Sequence, residues 1–61
     1  MSNKIQEMRL KKGLTALEVA RKAGLTNTSL SLFEHGKRKP SKLSLYKLAK
    51  VLECDPSDLQ E

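Results

Sequence analysis

The sequence contains little that could stabilise a small protein through covalent or metal cross-links. Among its 61 residues there is one cysteine, Cys54, and one histidine, His35. A single cysteine cannot form an intramolecular disulfide, and these two residues cannot supply the ligand set of a metal site. Because a chain this short buries only about 60% of its unfolded surface, we expect its stability to come from helix packing, self-association or both.

Other absences exclude whole classes of function. The sequence has no signal peptide and no apolar run near the roughly 18 residues that a membrane-spanning helix needs, and a lone cysteine fits a reducing cytoplasm. One histidine and one cysteine make no nucleophile–base pair, and there is no glycine-rich phosphate loop. We therefore expect a cytoplasmic protein that is not an enzyme and needs no cofactor and no small-molecule effector.

The charge is positive and unevenly distributed. The net charge is +5, and residues 35–52 contain no acidic residue. The cations of that stretch are Lys37, Arg38, Lys39, Lys42, Lys47 and Lys50. The segment after it, residues 53–61, contains four acids and no base. This pattern indicates a polyanionic partner on the basic side, although a merely solvated lysine-rich face gives the same pattern.

The hydrophobic period is helical throughout, and no stretch alternates as a strand would. It predicts an all-α protein of five short helices. On the fourth helix, one face carries Leu45, Leu48, Ala49 and Leu52. The predicted helices cover residues 3–12, 16–23, 27–34 and 56–60, and the fourth helix follows residue 41 and includes Leu52.

Capping residues support these boundaries. Gly13 and Gly24 stand where a helix ends in a left-handed residue. Thr15, with Glu18 three residues later, has the sequence of a capping box. Further N-cap candidates are Thr26, Ser41 and Asp55, the last followed by a proline.

The second and third helices have the spacing of a helix-turn-helix. Ala20 is small enough for the helices to approach closely, Gly24 permits a sharp turn, and Leu25 and Leu30 fill the angle between them. The second helix of such a unit can lie in the major groove of DNA. An ordinary pair of packed helices would show the same features.

The whole sequence resembles the Cro/phage-repressor (XRE-type) helix-turn-helix family over about residues 3–60. The matching positions are Arg9, Gly13-Leu14-Thr15, Ala20, Gly24, Ser31, Glu34, Gly36 and Pro40. The resemblance implies a five-helix, lambda-repressor-like fold in one domain, residues 1–61. It also implies a prokaryotic or phage-encoded transcriptional regulator, a repressor that binds a palindromic operator in double-stranded DNA as a homodimer.

The resemblance assigns DNA-contacting roles to two groups of residues. Base reading falls to Asn27, Thr28, Ser31 and Leu32. Contacts with the DNA backbone fall to Thr26, His35, Lys37, Arg38, Lys39, Ser41 and Lys42. For the lysines the alternative is simple solvation, and for Thr26 it is a capping role alone.

It also implies an ion pair between Arg9 and Glu34 that joins the first helix to the end of the third. The alternative for Arg9 is direct contact with a phosphate. In small relatives the dimer surface lies in the C-terminal region, which here comprises Val51, Cys54, Pro56 and Leu59. These residues could instead close the core of a monomer, and a monomer could pair only on DNA.

The sequence departs from the family pattern at the start of the second helix. Ala16 replaces a glutamine that commonly contacts phosphate, and Leu17 replaces a polar residue. Leu10 also falls at a position where we expect solvent. Leu10, Leu17 and Leu32 are either scattered surface residues or a contact for a partner. The second possibility supports an alternative function as a protein-interaction module, such as the antitoxin of a toxin–antitoxin pair.

Overall fold

The computed structural model describes residues 3–60 and contains four α-helices followed by one 3₁₀ helix. The elements are α1 (Lys4–Lys11), α2 (Ala16–Ala23), α3 (Asn27–Glu34), α4 (Lys42–Leu52) and the 3₁₀ helix (Pro56–Leu59). No strand occurs in residues 3–60, as the helical period predicts. Over the same residues, no helix combines the length and hydropathy required to span a bilayer.

The prediction of a fifth α-helix over residues 56–60 is wrong. Pro56–Leu59 form a single 3₁₀ turn, in which the Asp58 N–H donates to the Asp55 carbonyl at 2.9 Å. Gln60 is already extended, with φ −79° and ψ 137°. A segment this short satisfies its backbone with i→i+3 bonds, and the turn carries Leu59 into the core. The structure therefore has four α-helices rather than five.

The predicted helix ends are confirmed where they depend on local capping. The Thr15 hydroxyl accepts from the Glu18 N–H at 3.1 Å, and the Glu18 carboxylate accepts from the Thr15 N–H at 3.0 Å, which completes the capping box. Thr26 and Ser41 cap α3 and α4 through their hydroxyl oxygens. Gly24 ends α2 with φ 70°, a conformation that other residues adopt only with strain.

The core lies where α2 meets α3 and α4. Its most deeply buried large side chains are Val19, Leu30, Leu48 and Leu52. The predicted inner face of α4 is confirmed, since all four of its apolar residues are buried. α1 and the 3₁₀ helix close the core from the other side, and Ile5 and Leu59 are each 2% exposed. This arrangement leaves one face of α3 without a protein neighbour.

Candidate nucleic-acid interface

The turn between α2 and α3 fixes the angle at which α3 leaves the core. Gly24 adopts the left-handed conformation, and the Leu25 N–H donates to the Ala20 carbonyl at 2.8 Å, which closes the end of α2. Ala20 and Leu30 are fully buried between the helices. Because Ala20 has no bulk beyond its methyl group, α3 packs directly on α2. The geometry is that of a helix-turn-helix.

The outer face of α3 carries the predicted base-reading residues. Asn27, Thr28 and Ser31 are exposed, and Leu32 is half-buried at the edge of the same face. The helix has one charged residue, Glu34, and that side chain is buried on the inner face. The exposed surface of α3 is therefore uncharged. It can discriminate bases by hydrogen bonding and by apolar contact, whereas attraction to phosphates must come from other residues.

The first turn of α3 holds a pair of hydroxyl groups. Thr26 Oγ1 accepts from the Ser29 N–H at 3.0 Å and lies 2.9 Å from Ser29 Oγ. The two hydroxyls have two protons and use one between them, so one proton remains for a partner outside the pair. Thr26 therefore caps the helix as predicted. Sequence reasoning did not identify Ser29, although its position three residues after the cap is the signal that locates it.

The C-terminal end of α3 is fixed to α1 by the side chain of Arg9. Its Nε lies 2.8 Å from Glu34 Oε2, its Nη2 lies 3.1 Å from Glu34 Oε1, and its Nη1 donates to the Leu14 carbonyl at 3.0 Å. The side chains of Arg9 and Glu34 are 12% and 5% exposed. With these three contacts inside the protein, little of the guanidinium remains for a DNA phosphate.

A second link between α1 and α3 was not anticipated from the sequence. Asn3 caps α1 by accepting from the Gln6 N–H at 3.2 Å, and its side-chain amide donates to the Phe33 carbonyl near the end of α3. An asparagine before a helix indicates a cap, but nothing in the sequence indicates a partner 30 residues away. Asn3 and Arg9 together hold the recognition helix at its C-terminal end.

The predicted backbone-contacting residues follow directly after α3. The carbonyl of Leu32 accepts from the N–H groups of Lys37 and Arg38 at 2.9 and 3.3 Å, which folds the loop back against the end of α3. The side chains of four cations are exposed there: Lys37, Arg38, Lys39 and Lys42. Ser41 caps α4 beside them. The uncharged outer face of α3 thus lies next to a set of exposed positive charges that can bind phosphates.

His35 is oriented by the helix that it terminates. Its Nδ1 lies 2.8 Å from the Ser31 carbonyl oxygen. Because that oxygen can only accept, Nδ1 carries a proton and Nε2 is the ring atom left for an outside partner. In the neutral ring Nε2 is an acceptor. His35 can therefore donate to a phosphate only when the ring is the doubly protonated imidazolium.

The geometry can now be compared with known proteins. The family model described as helix-turn-helix matches residues 5–59. The chain belongs to the helix-turn-helix family. This match confirms the resemblance on which the site residues were assigned. The fold is accordingly that of a helix-turn-helix DNA-binding domain.

Two relatives and two solved structures of the helix-turn-helix type are similar over most of the chain. An uncharacterized HTH-type transcriptional regulator of Archaeoglobus fulgidus is 37% identical over 97% of this chain and 84% of its own length. The regulator YozG of Bacillus subtilis is 36% identical over 93% of this chain and 69% of its own. The crystal structure of the restriction-modification controller protein C.AhdI from Aeromonas hydrophila has a TM-score of 0.88 at 32% identity. The N-terminal DNA-binding domain of SinR from Bacillus subtilis has a TM-score of 0.84 at 34% identity. Each structure covers 93% of this chain and 86% of its own.

The departures from the helix-turn-helix family pattern lie at the surface. Ala16 is half-buried at the start of α2, and it has no side-chain group with which to hydrogen-bond a phosphate. Leu17 and Leu10 are 50% and 60% exposed. Their exposure agrees with the expectation of solvent at these positions and leaves both interpretations of the two leucines in place.

The residues predicted for a dimer surface are not equally accessible. Leu59 is 2% exposed and packs in the core, as in the alternative that these residues close the core of a monomer. Val51, Cys54 and Pro56 are half-buried and keep part of their surface. Burial, reinforced by the nearby Asp58 and Asp55 carboxylates, raises the pKa of the Cys54 thiol. The thiol is therefore protonated and weakly nucleophilic at neutral pH.

Proposed function

We propose that this protein is a transcriptional regulator, acting as a repressor, that binds a palindromic operator in double-stranded DNA as a homodimer in the cytoplasm. The observation that carries the proposal is the exposed, uncharged face of α3 beside the four cations of the following loop. The relatives named above as HTH-type transcriptional regulators support the proposal. The same observation favours DNA over a protein as the first partner, because the cations and the reading face adjoin.

In this proposal the base-reading residues of α3 recognise different chemical features of the bases. Asn27 can bond an adenine through two hydrogen bonds. Thr28 and Ser31 can donate to or accept from several bases, and Leu32 can contact a thymine methyl group. None of these contacts involves a full charge, so the exposed face of α3 contributes sequence specificity and only part of the affinity for DNA.

Affinity then comes from the groups that face the phosphates. The cations Lys37, Arg38, Lys39 and Lys42 attract phosphates irrespective of sequence. Thr26 and Ser41 can add neutral hydrogen bonds to phosphates through their hydroxyl groups. His35 can donate to a phosphate only when its ring is doubly protonated.

A homodimer is compatible with the dimensions of one protomer and of DNA. The protein measures 23 × 23 × 21 Å, and half-sites one helical turn apart are separated by about 34 Å. Two protomers in contact have centres about 23 Å apart. Each recognition helix must therefore lie several ångström beyond its protomer's centre, on the side away from the two-fold axis.

Two substitutions separate specificity from affinity. Asn27→Ala should weaken binding to the preferred site by about 1–3 kcal/mol and relax the preference at one base position. Lys37→Ala should weaken binding to all sequences alike and reduce the salt slope by about one. The preferred site is first obtained by selecting bound duplexes from a random pool, and affinities are then measured by fluorescence anisotropy at several salt concentrations.

Lys11→Ala is the matched control, because it removes one exposed cation from α1 without touching α3 or the basic loop. It should leave the site preference and the salt slope unchanged. A selection that returns no preferred sequence would refute sequence-specific binding. If Lys37→Ala altered the preference and Asn27→Ala did not, the assignment of roles would be reversed.

A further inference from the structure

A cleft opens beside the loop between α3 and α4, and no role assigned so far uses its interior. It lies where the start of α1, the end of α3, the start of α4 and the 3₁₀ helix meet, and its volume is about 530 Å³. Sites that bind small molecules usually have volumes of about 300–1,000 Å³. The interior of the cleft is apolar and is lined by Ile5, Phe33, Pro40, Leu45 and Leu59.

The mouth of the cleft is positively charged. Arg38, Lys39 and Lys42 line it with exposed side chains, and none of the three forms an ion pair within residues 3–60. The other polar side chains of the wall, those of Asn3 and Gln60, are uncharged amides, so no carboxylate of the described residues lines the cleft. Three unpaired cations beside an apolar interior are the complement of an anion that has an apolar body.

We propose that this cleft binds a small amphipathic anion, a carboxylate with an apolar body of the size of a medium-chain fatty acid. The carboxylate lies among the three cations of the mouth, where the planar guanidinium of Arg38 can donate two parallel hydrogen bonds to it. The apolar body lies against Phe33, Leu45 and Leu59 and is thereby removed from water. We expected no small-molecule effector from the sequence, because the cleft forms only where four elements meet.

The ligand and DNA use the same cations. The proposed function assigns Arg38, Lys39 and Lys42 to the phosphates, and a bound carboxylate neutralises part of their charge. The two partners therefore exclude each other, and each lowers the affinity of the protein for the other by the same factor. This consequence rests on the proposed function, whereas binding of the carboxylate to the cleft does not.

Octanoate is the probe for the cleft, and octylammonium is its matched control, since the two ions have similar tails and opposite charges. Isothermal titration calorimetry of the protein without DNA should show one octanoate bound per chain and at least about tenfold weaker binding of octylammonium. From butanoate to octanoate, the affinity should rise about fourfold for each methylene group removed from water. Equal binding of the two ions, or no saturable binding of octanoate, would overturn the proposal.

Two substitutions of glutamine test the location of the site. Gln60→Glu places a carboxylate in the wall of the cleft and should weaken octanoate binding about tenfold, because it pairs with the cations and repels the ligand. Gln6→Glu makes the same change on α1, outside the wall of the cleft, and should alter the dissociation constant less than about twofold. Equal effects of the two variants would refute the location.

Circular dichroism keeps binding apart from denaturation. The helical signal of both variants should match that of the wild type, and saturating octanoate should leave the wild-type signal unchanged. A loss of helical signal with octanoate would show that the ion acts as a detergent, and the proposal would be wrong.

Competition on a short duplex with one half-site tests the consequence for DNA. Octanoate at about ten times its dissociation constant should weaken DNA binding by the wild type about tenfold, and by Gln60→Glu only about twofold. Acetate replaces octanoate in the control titrations, so that the ionic strength is the same. Octanoate binding that leaves the affinity for DNA unchanged would overturn the competition. If the wild type failed to bind the duplex with sequence preference, the proposed function would fail, while the calorimetric result would stand on its own.

Discussion

At the scale of single residues, two glutamates of this chain form ion pairs that differ in burial and therefore in their contribution to stability. The Glu34 side chain is 5% exposed and accepts two hydrogen bonds from Arg9. The same guanidinium also donates to the Leu14 carbonyl, so it links α1, the loop after α1, and α3. Glu53 is 74% exposed and meets Lys12 at 3.1 Å. When one member of a buried ion pair is removed, the other remains as an uncompensated charge in the interior. When one member of an exposed pair is removed, water solvates the other.

Glu34→Ala should therefore destabilise the protein by about 3–5 kcal/mol, because Arg9 becomes an unpaired charge in a mostly buried site. Glu53→Ala should change the free energy of unfolding by no more than about 1 kcal/mol. Thermal and urea melts of both variants, followed by circular dichroism, provide the measurement. Equal losses in the two variants would contradict the stabilising role assigned to the Arg9–Glu34 pair.

Some features of the candidate site could be predicted from the sequence, and others could not. The resemblance to the helix-turn-helix family assigns Asn27, Thr28 and Ser31 to the DNA-facing side of the third helix, and these residues are exposed in the structure. The contact of the Asn3 side chain with the Phe33 carbonyl depends on how distant elements meet, so no local pattern could indicate it.

At the scale of elements, the boundaries of the helices follow from capping groups that act within one turn. Thr15, Thr26 and Ser41 each accept a backbone N–H three residues later, so the sequence was enough to place the starts of α2, α3 and α4. The end of α4 was less predictable. Glu53 takes the left-handed conformation there (φ 57°) where a glycine is usual. The residue type gave no signal, because glutamate has no preference for that conformation.

The capping box of α2 makes the stability depend on pH in a defined direction. The hydrogen bond from the Thr15 backbone N–H lowers the pKa of Glu18 below its ordinary value of 4.5, and the bond from the Thr15 hydroxyl acts in the same sense. A carboxyl group with a lowered pKa in the folded state stabilises the fold above the ordinary pKa and loses that contribution as the pH falls through the folded value.

The destabilisation caused by Glu18→Ala should accordingly be larger at pH 7 than at pH 3. Urea unfolding of both proteins at the two pH values gives the comparison. Glu7→Ala, at an exposed position in the first turn of α1, is the control for a general effect of removing a carboxylate. A Glu18→Ala effect that is the same at both pH values would show that the charged form is not what caps the helix.

At the scale of the whole molecule, the charges are separated into a basic half and an acidic end. The cations after α3 adjoin the exposed face of that helix, while the exposed acids Glu53, Asp55 and Asp58 lie after α4. Such a distribution orients the protein on a polyanion before any base is read.

This arrangement predicts how the binding constant depends on salt. Each phosphate neutralised adds about 0.9 to the slope of log K against log salt concentration. Under the proposed function, a homodimer on the full palindrome engages the basic loops of both protomers. The slope there should be about twice that on a duplex carrying one half-site and too short for a second protomer. Anisotropy titrations across a salt series measure both slopes. Equal slopes would mean that a single protomer makes all the phosphate contacts, and the homodimer would then have no part in binding.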